Sequence, residues 1–160
     1  METYRSKDFQ KMLNVSKIQI SNWVNRGCII PYKEDRRRGG SHEFGRQNLI
    51  EAAICKELSD LQVPVVKIAE GLNTLRMVIP KDVWKNKESL GEFYLMYTSP
   101  LKFDYSKFPK FKESVKMCPS SDFKKTFVPM IVLEKDLVET LKFMRAGVVL
   151  GLKCALDYIG

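Results

Sequence analysis

Apolar residues near the start of the chain recur at helical spacing in short blocks. Phe9, Met12 and Leu13 share one face of a helix expected over residues 7–13, with Ser6 placed to cap it. Asn14-Val15 interrupts the pattern. Ser16 is placed to cap a second helix over residues 17–26, in which Ile20, Trp23 and Val24 form one buried stripe. Gly27 supplies the left-handed residue that ends it. Two short capped helices this close together form a helix-turn-helix unit.

Cys28-Ile29-Ile30-Pro31 reads as a short strand that Pro31 ends or leaves at a sheet edge. The chain then turns polar over residues 32–42, with Gly39-Gly40 at the tip to supply positive φ. Glu43-Phe44 returns to the body, with Phe44 as an anchor. Strand, basic loop and short return strand have the form of a wing. Gly45-Arg46-Gln47-Asn48 leads into a third helix expected to about Leu61, with Leu49, Ile50, Ala53, Ile54 and Leu58 on its apolar face. Pro64 opens a fourth, carrying Val65, Ile68, Ala69, Leu72 and Leu75.

The pattern changes after residue 76. Residues 92–98 are aromatic and strand-like. Residues 126–133 read as another strand, interrupted by Pro129, which predicts an edge position or a bulge. Residues 134–144 read as a helix with Leu137, Val138, Leu141 and Met144 on one side, and an apolar tail follows over 146–159. Residues 100–125 are irregular and hold seven lysines against three acids. The expected class is α+β: a winged helix-turn-helix over residues 1–76, then a small α/β domain over 77–160 for dimerisation, effector sensing or partner contact.

Composition narrows the function classes. The 160 residues allow one domain or two small ones, and a hydrophobic fraction of 44% excludes a disordered chain. A formal charge of +8 leaves nucleic acid, an anionic membrane or an acidic partner open. No apolar run approaches the roughly 18 residues of a transmembrane helix, and METYRSKDFQ lacks the apolar core of a signal peptide. The expectation is a soluble cytoplasmic protein with no membrane partner. Cys28, Cys55, Cys118 and Cys154 form no CxxC pair and are expected as reduced thiols, and His42 is the sole histidine, so no metal site is expected. GxSxG, HExxH and P-loop patterns are absent, and the adjacent pair Glu34-Asp35 sits beside arginines in a loop. The sequence therefore predicts a protein that is not an enzyme and needs no cofactor.

The order of elements from about Tyr4 to Leu75 resembles the MerR-type winged helix-turn-helix family. The matching pieces are Val15-Ser16 at the turn, Ile20 and Trp23 on the second helix, and Gly27-Cys28-Ile29 followed by Pro31. Arg36-Arg37-Arg38-Gly39-Gly40, the closing Phe44, Asn48-Leu49 and the segment 61–68 complete the set. The family's usual Arg and Tyr on the second helix are here Ser21 and Asn22, and its Tyr-Arg-Arg on the wing is Ser41-His42-Glu43. The family pairs through a long helix after the fourth, which Pro80 follows too soon to permit. The resemblance implies a DNA-binding transcription regulator working as a homodimer on double-stranded DNA, with any small-molecule effector left open.

The residues support that reading by their own chemistry. Gln19 and Asn22 can each pair in bidentate fashion with adenine from a helix in the major groove. Ser16, Lys17, Ser21, Asn25 and Arg26 are the other polar residues there. Arg36, Arg37 and Arg38 can reach phosphates or a minor groove, and His42 can contact a phosphate. Trp23 and the aromatics of the second half read as core or contact residues. Two alternatives stay open: an interaction adaptor whose winged helix no longer binds DNA, and an excisionase-like architectural DNA-binding factor of a phage or mobile element. For the dimer, the helix 134–144 and the tail 146–159 supply the candidate contact, because they carry more apolar surface than a short second half can cover; the competing account is that the tail folds back on the strands near Phe93 and Met130.

Overall fold

A computed structural model describes residues 2–33, 42–98, 116–117, 128–141 and 147–158. The fold is α+β. Its backbone divides into two compact units: one runs through Leu72 and regains the chain from Cys154, and the other spans Asn73–Lys153. The sequence places one boundary at residue 76. The chain passes from one unit to the other between Leu72 and Asn73 and back between Lys153 and Cys154.

In the first unit, α1 spans Ser6–Leu13 and α2 spans Lys17–Asn25. Ser6 is the first helical residue, not the cap. Arg5 occupies that position, and its N–H donates to the Asp8 carboxylate at 2.7 Å, which is the reciprocal half of a capping box. Asn14 turns the chain in the left-handed region (φ 52°). Ser16 does cap α2: its Oγ accepts from the Gln19 N–H at 3.1 Å, and Gln19 Oε1 accepts from the Ser16 N–H at 2.8 Å. At the other end Gly27 (φ +74°) donates to the Val24 carbonyl, and Cys28 donates to the Trp23 carbonyl at 2.8 Å. That pair of bonds is a Schellman closure.

The closure also explains a misread segment. Residues 28–31 form no strand. The N–H groups of Cys28 and Ile29 both point at the Trp23 carbonyl, so neither is free to join a ladder. Pairing begins two residues later, as a single antiparallel bridge between Lys33 and Glu43, with a second between Tyr4 and Phe44.

Helix α3 spans Arg46–Asp60, with Leu49, Ile50, Ala53, Ile54 and Leu58 buried as its pattern requires. Ala52, Cys55, Asn48 and Glu51 are buried too, so α3 is enclosed on nearly every side through its middle turns. It ends as α2 does, with Val63 donating to the Leu58 carbonyl, but here Gln62 holds the left-handed position (φ 61°). Phe9, Leu13, Ile20, Trp23, Ile29 and Phe44 complete this core, with the Phe9 and Phe44 rings 4.7 Å apart. Helix α4 spans Val65–Val78 and buries Ile68, Leu72 and Leu75.

In the second unit a short 3₁₀ turn, Val83–Lys85, buries Trp84, and Asn86 caps α5, Lys87–Gly91. Four strands follow: β1 Phe93–Thr98, β2 Lys116–Met117, β3 Val128–Leu133 and β4 Gly147–Gly151. They form one antiparallel sheet in the order β2-β3-β1-β4. Helix α6, Glu134–Leu141, connects to β3 directly. Pro129 sits on neither an edge strand nor a bulge: β3 is inner, and its register with β1 is unbroken from Phe93↔Leu133 to Thr98↔Val128. The described part of β2 pairs only with Met130 and Ile131, so no described partner on that flank asks Pro129 for an N–H.

The apolar tail has a structure of its own. Its first part is β4, paired with β1 from Tyr94↔Gly151 to Thr98↔Gly147. Its second part is α7, Leu152–Leu156. Leu150, Leu152, Ala155 and Leu156 are buried within the chain. Val148 and Val149 are half-buried, so part of the apolar surface that pointed to this tail is covered within the chain. Met144 and Ile159 lie outside the described residues.

Candidate nucleic-acid interface

Helix α2 has a fixed orientation because both ends are locked and one stripe is buried. Ile20 is 2% exposed and Trp23 is 3% exposed, and Val24 is half-buried beside them. Val15, immediately before the cap, is buried with Ile20 and staples the entry of the helix. The opposite side is open. Ser16, Lys17, Gln19, Ser21, Asn22, Asn25 and Arg26 are all exposed. The stretch contains no carboxylate, so the face presents amides, hydroxyls and two cations.

Two of these residues are less free than the sequence suggests. Ser16 Oγ and Gln19 Oε1 are committed to the capping box. Gln19 keeps its amide NH₂ for an outside partner, and a bidentate pair with adenine has to share Oε1 with the capping box. The Ser-x-x-Gln signature was present in the sequence and is the signal that finds this role. One exposed residue had no assigned role at all: Ile18, at 81% exposure in the first turn of α2.

Arg36, Arg37 and Arg38 lie outside the described residues, as do Gly39, Gly40 and Ser41. What is described is the pairing on either side of that segment. Lys33 and Glu43 exchange backbone hydrogen bonds at 3.2 and 3.1 Å, and Tyr4 and Phe44 do so at 2.8 and 2.9 Å. His42 is half-buried, with its ring edge-on to Phe44 at 6.1 Å, and is not fully exposed at a tip as expected. Its Nδ1 is shielded from solvent and makes no hydrogen bond among the described residues. Tyr4 belongs to this pairing, and partial burial, then its hydrogen bond to Glu2, raises its phenol above the usual range.

A polar knot on α3 holds both ends of the excursion. The Asn48 side chain accepts from the Gly45 N–H at 2.9 Å and donates to the Ile30 carbonyl at 2.7 Å. It also donates to Glu51 at 3.1 Å, and Gln47 donates to the same carboxylate at 3.0 Å. Glu51 is only 1% exposed. Asn48 thus bridges the segment that leaves the body at Ile30 and the segment that rejoins it at Gly45. Sequence reasoning used Asn48 only as part of a motif and missed Glu51, because a single acid within an apolar helix reads as a solvated position.

Among the described residues no group of His, Cys, Asp and Glu is arranged to hold a metal ion, and no helix is long and apolar enough to cross a membrane. Cys28 and Cys55 are buried and Cys154 is exposed, none of the three in a disulfide. The sequence matches no family model and no curated protein.

Proposed function

We propose that this chain binds double-stranded DNA, as a transcription regulator, through a winged helix-turn-helix formed by its first unit. The observation that carries the reading is the solvent face of α2. Seven polar residues without a carboxylate stand on a helix whose other side is pinned by Ile20 and Trp23. A helix of this length enters the major groove with the residues of its first turns toward the base edges. In this reading Asn22 and Asn25 read bases, Lys17 and Arg26 approach phosphates, and Ser16 and Ser21 contribute shorter contacts. Arg36, Arg37 and Arg38 neutralise the backbone from the loop that Asn48 anchors, with His42 at its edge. Two copies related by a two-fold axis would read a longer site than one helix can, so a homodimer belongs to the same proposal.

The test is binding of the full chain to a random-sequence 20-base-pair duplex pool across a salt series. Electrostatic docking gives a linear fall of log affinity with log salt, and Arg37→Ala lowers that slope by about one unit. Absence of binding at low salt overturns the proposal.

One observation favours the adaptor as a second reading. Gln19 spends its carbonyl oxygen on the cap, and a bare isoleucine stands beside it. An interaction helix tolerates both features. The same salt series separates the two, since an adaptor retains no duplex at any salt.

A further inference from the structure

Ile18 lacks a structural reason for its place. It is 81% exposed, so it contributes almost nothing to the core. The staple at the head of α2 is already supplied by Val15 and Ile20, both buried. A β-branched residue in the first turn brings no helix propensity. Leaving it in water forgoes what a polar residue would give.

Its neighbours define its surroundings. Ser21, Asn22 and Asn25 lie three, four and seven positions further on, so all four share one face of α2. Each of the three is exposed and polar. Ile18 is therefore a single apolar point on a polar, carboxylate-free face. It sits in the turn that reaches base edges in a helix docked in the major groove.

Only one major-groove base-edge group suits it. Guanine, cytosine and adenine offer donors and acceptors there, and thymine alone offers a methyl group beside its O4. An isoleucine laid over a donor or acceptor would strip its water without replacing the hydrogen bond, which is unfavourable. Laid over a thymine methyl, it removes apolar surface from water on both sides. We propose that Ile18 is a specificity-determining residue that selects thymine at one position of the bound duplex by contact with the C5 methyl. The assignment rests on the DNA-binding reading above.

Deoxyuridine isolates that methyl, because it pairs as thymine does and differs only at C5. The wild-type chain is first used to enrich a duplex from a random 20-base-pair pool. The winner is then resynthesised with each thymine replaced singly by deoxyuridine. One replacement should weaken wild-type binding about four-fold, the worth of one methyl group returned to water. Ile18→Ala should weaken binding to the thymine duplex about ten-fold, as most of one aliphatic side chain's contact is lost. It should also erase the four-fold difference at that single position. The exposure of Ile18 leaves the fold of the variant intact, which thermal unfolding verifies.

Failure at either level is distinguishable. If no duplex is enriched, the DNA-binding reading falls and this assignment falls with it. If a duplex is enriched and no thymine is sensitive to deoxyuridine, DNA binding stands and the Ile18 assignment is overturned. A sensitive thymine that stays equally sensitive in Ile18→Ala overturns it as well, since another residue then holds the methyl.

Discussion

Replacing Asn48 by alanine tests the knot that holds the basic loop. The side chain is 7% exposed and makes three hydrogen bonds, to the Gly45 N–H, the Ile30 carbonyl and Glu51. Leaving the N–H of Gly45, the cap residue of α3, without its side-chain acceptor costs about 1 kcal/mol. Removing a donor from a buried carboxylate costs about 2 kcal/mol, because hydrogen bonds to charged groups are the stronger kind and water cannot take the vacated place. Ile30 is exposed enough for water to replace Asn48 at its carbonyl, so that bond adds little. The expected loss is about 3 kcal/mol, which moves a urea midpoint by about 1.5 M at a slope of about 2 kcal/mol/M. The measurement needs Trp23 as reporter of the first unit, so it is made in a Trp84→Phe background that silences the second. In a Glu51→Gln background the charge is gone, and Asn48→Ala should cost about half as much. A loss below about 1 kcal/mol, or one unchanged by Glu51→Gln, would show that the knot is not what secures this end of α3.

Gly27→Ala should destabilise the first unit by about 1–2 kcal/mol through backbone conformation alone, since an added Cβ meets nothing within 4 Å while φ is +74°; equal midpoints for the two proteins in urea would contradict this. Asn22→Ala should change the preferred base at one position of a selected duplex at a cost of about 1–3 kcal/mol, whereas Arg37→Ala should weaken all duplexes alike. Swapped outcomes in a competition assay would exchange their roles. The hydrogen bond to Glu57 raises the Tyr158 phenol above its ordinary 10.0, and the hydrogen bond with Asp60 raises Lys56 above 10.5. A folded-state pKa above the unfolded one means stability that is whole below about pH 10 and is lost as pH climbs through the folded value. Tyr158→Phe should therefore flatten the alkaline arm of a stability profile, and an unchanged arm would exclude this corner as its source.

Local chemistry was the most legible part of the chain. Ser16 and Gly27 carry their own reasons, so the limits of α2 could be read within a residue. The failures came where one group had already been claimed by another. Ser6 falls one residue inside the helix because Asp8 accepts the Arg5 N–H and fixes Arg5 as the cap position. Residues 28–31 have the composition of a strand, but two of their N–H groups close the preceding helix. Helix α3 shows an apolar stripe in sequence, yet Glu51 and Asn48 are buried off that stripe because they satisfy each other. β4 read as a tail because Gly147 and Gly151 bracket only three apolar residues. Its place beside β1 depends on partners far along the chain, and periodicity carries no such information. At the candidate interface the polar face of α2 was legible, whereas Ile18 acquires meaning only once its exposure is known.

The strand order β2-β3-β1-β4 bears on how the protein is made. β1 is synthesised first of the four and is completed last, because Tyr94 must wait for Gly151. At about 5–20 residues per second on a ribosome the delay is roughly 3–10 s. Throughout it, β1 carries Leu95, Met96 and Tyr97, which the finished sheet buries, alongside one edge that stays unpaired until β4 arrives. The helices α1 to α3 are all made before β1, although Tyr158 joins Glu57 of their unit only at the end. Synthesis therefore passes through a stage in which the helical unit is largely made while a nascent apolar strand is open to neighbouring chains. A holding chaperone that masks extended apolar segments would act on β1 during that interval, and arresting translation between Leu133 and Gly147 would prolong it.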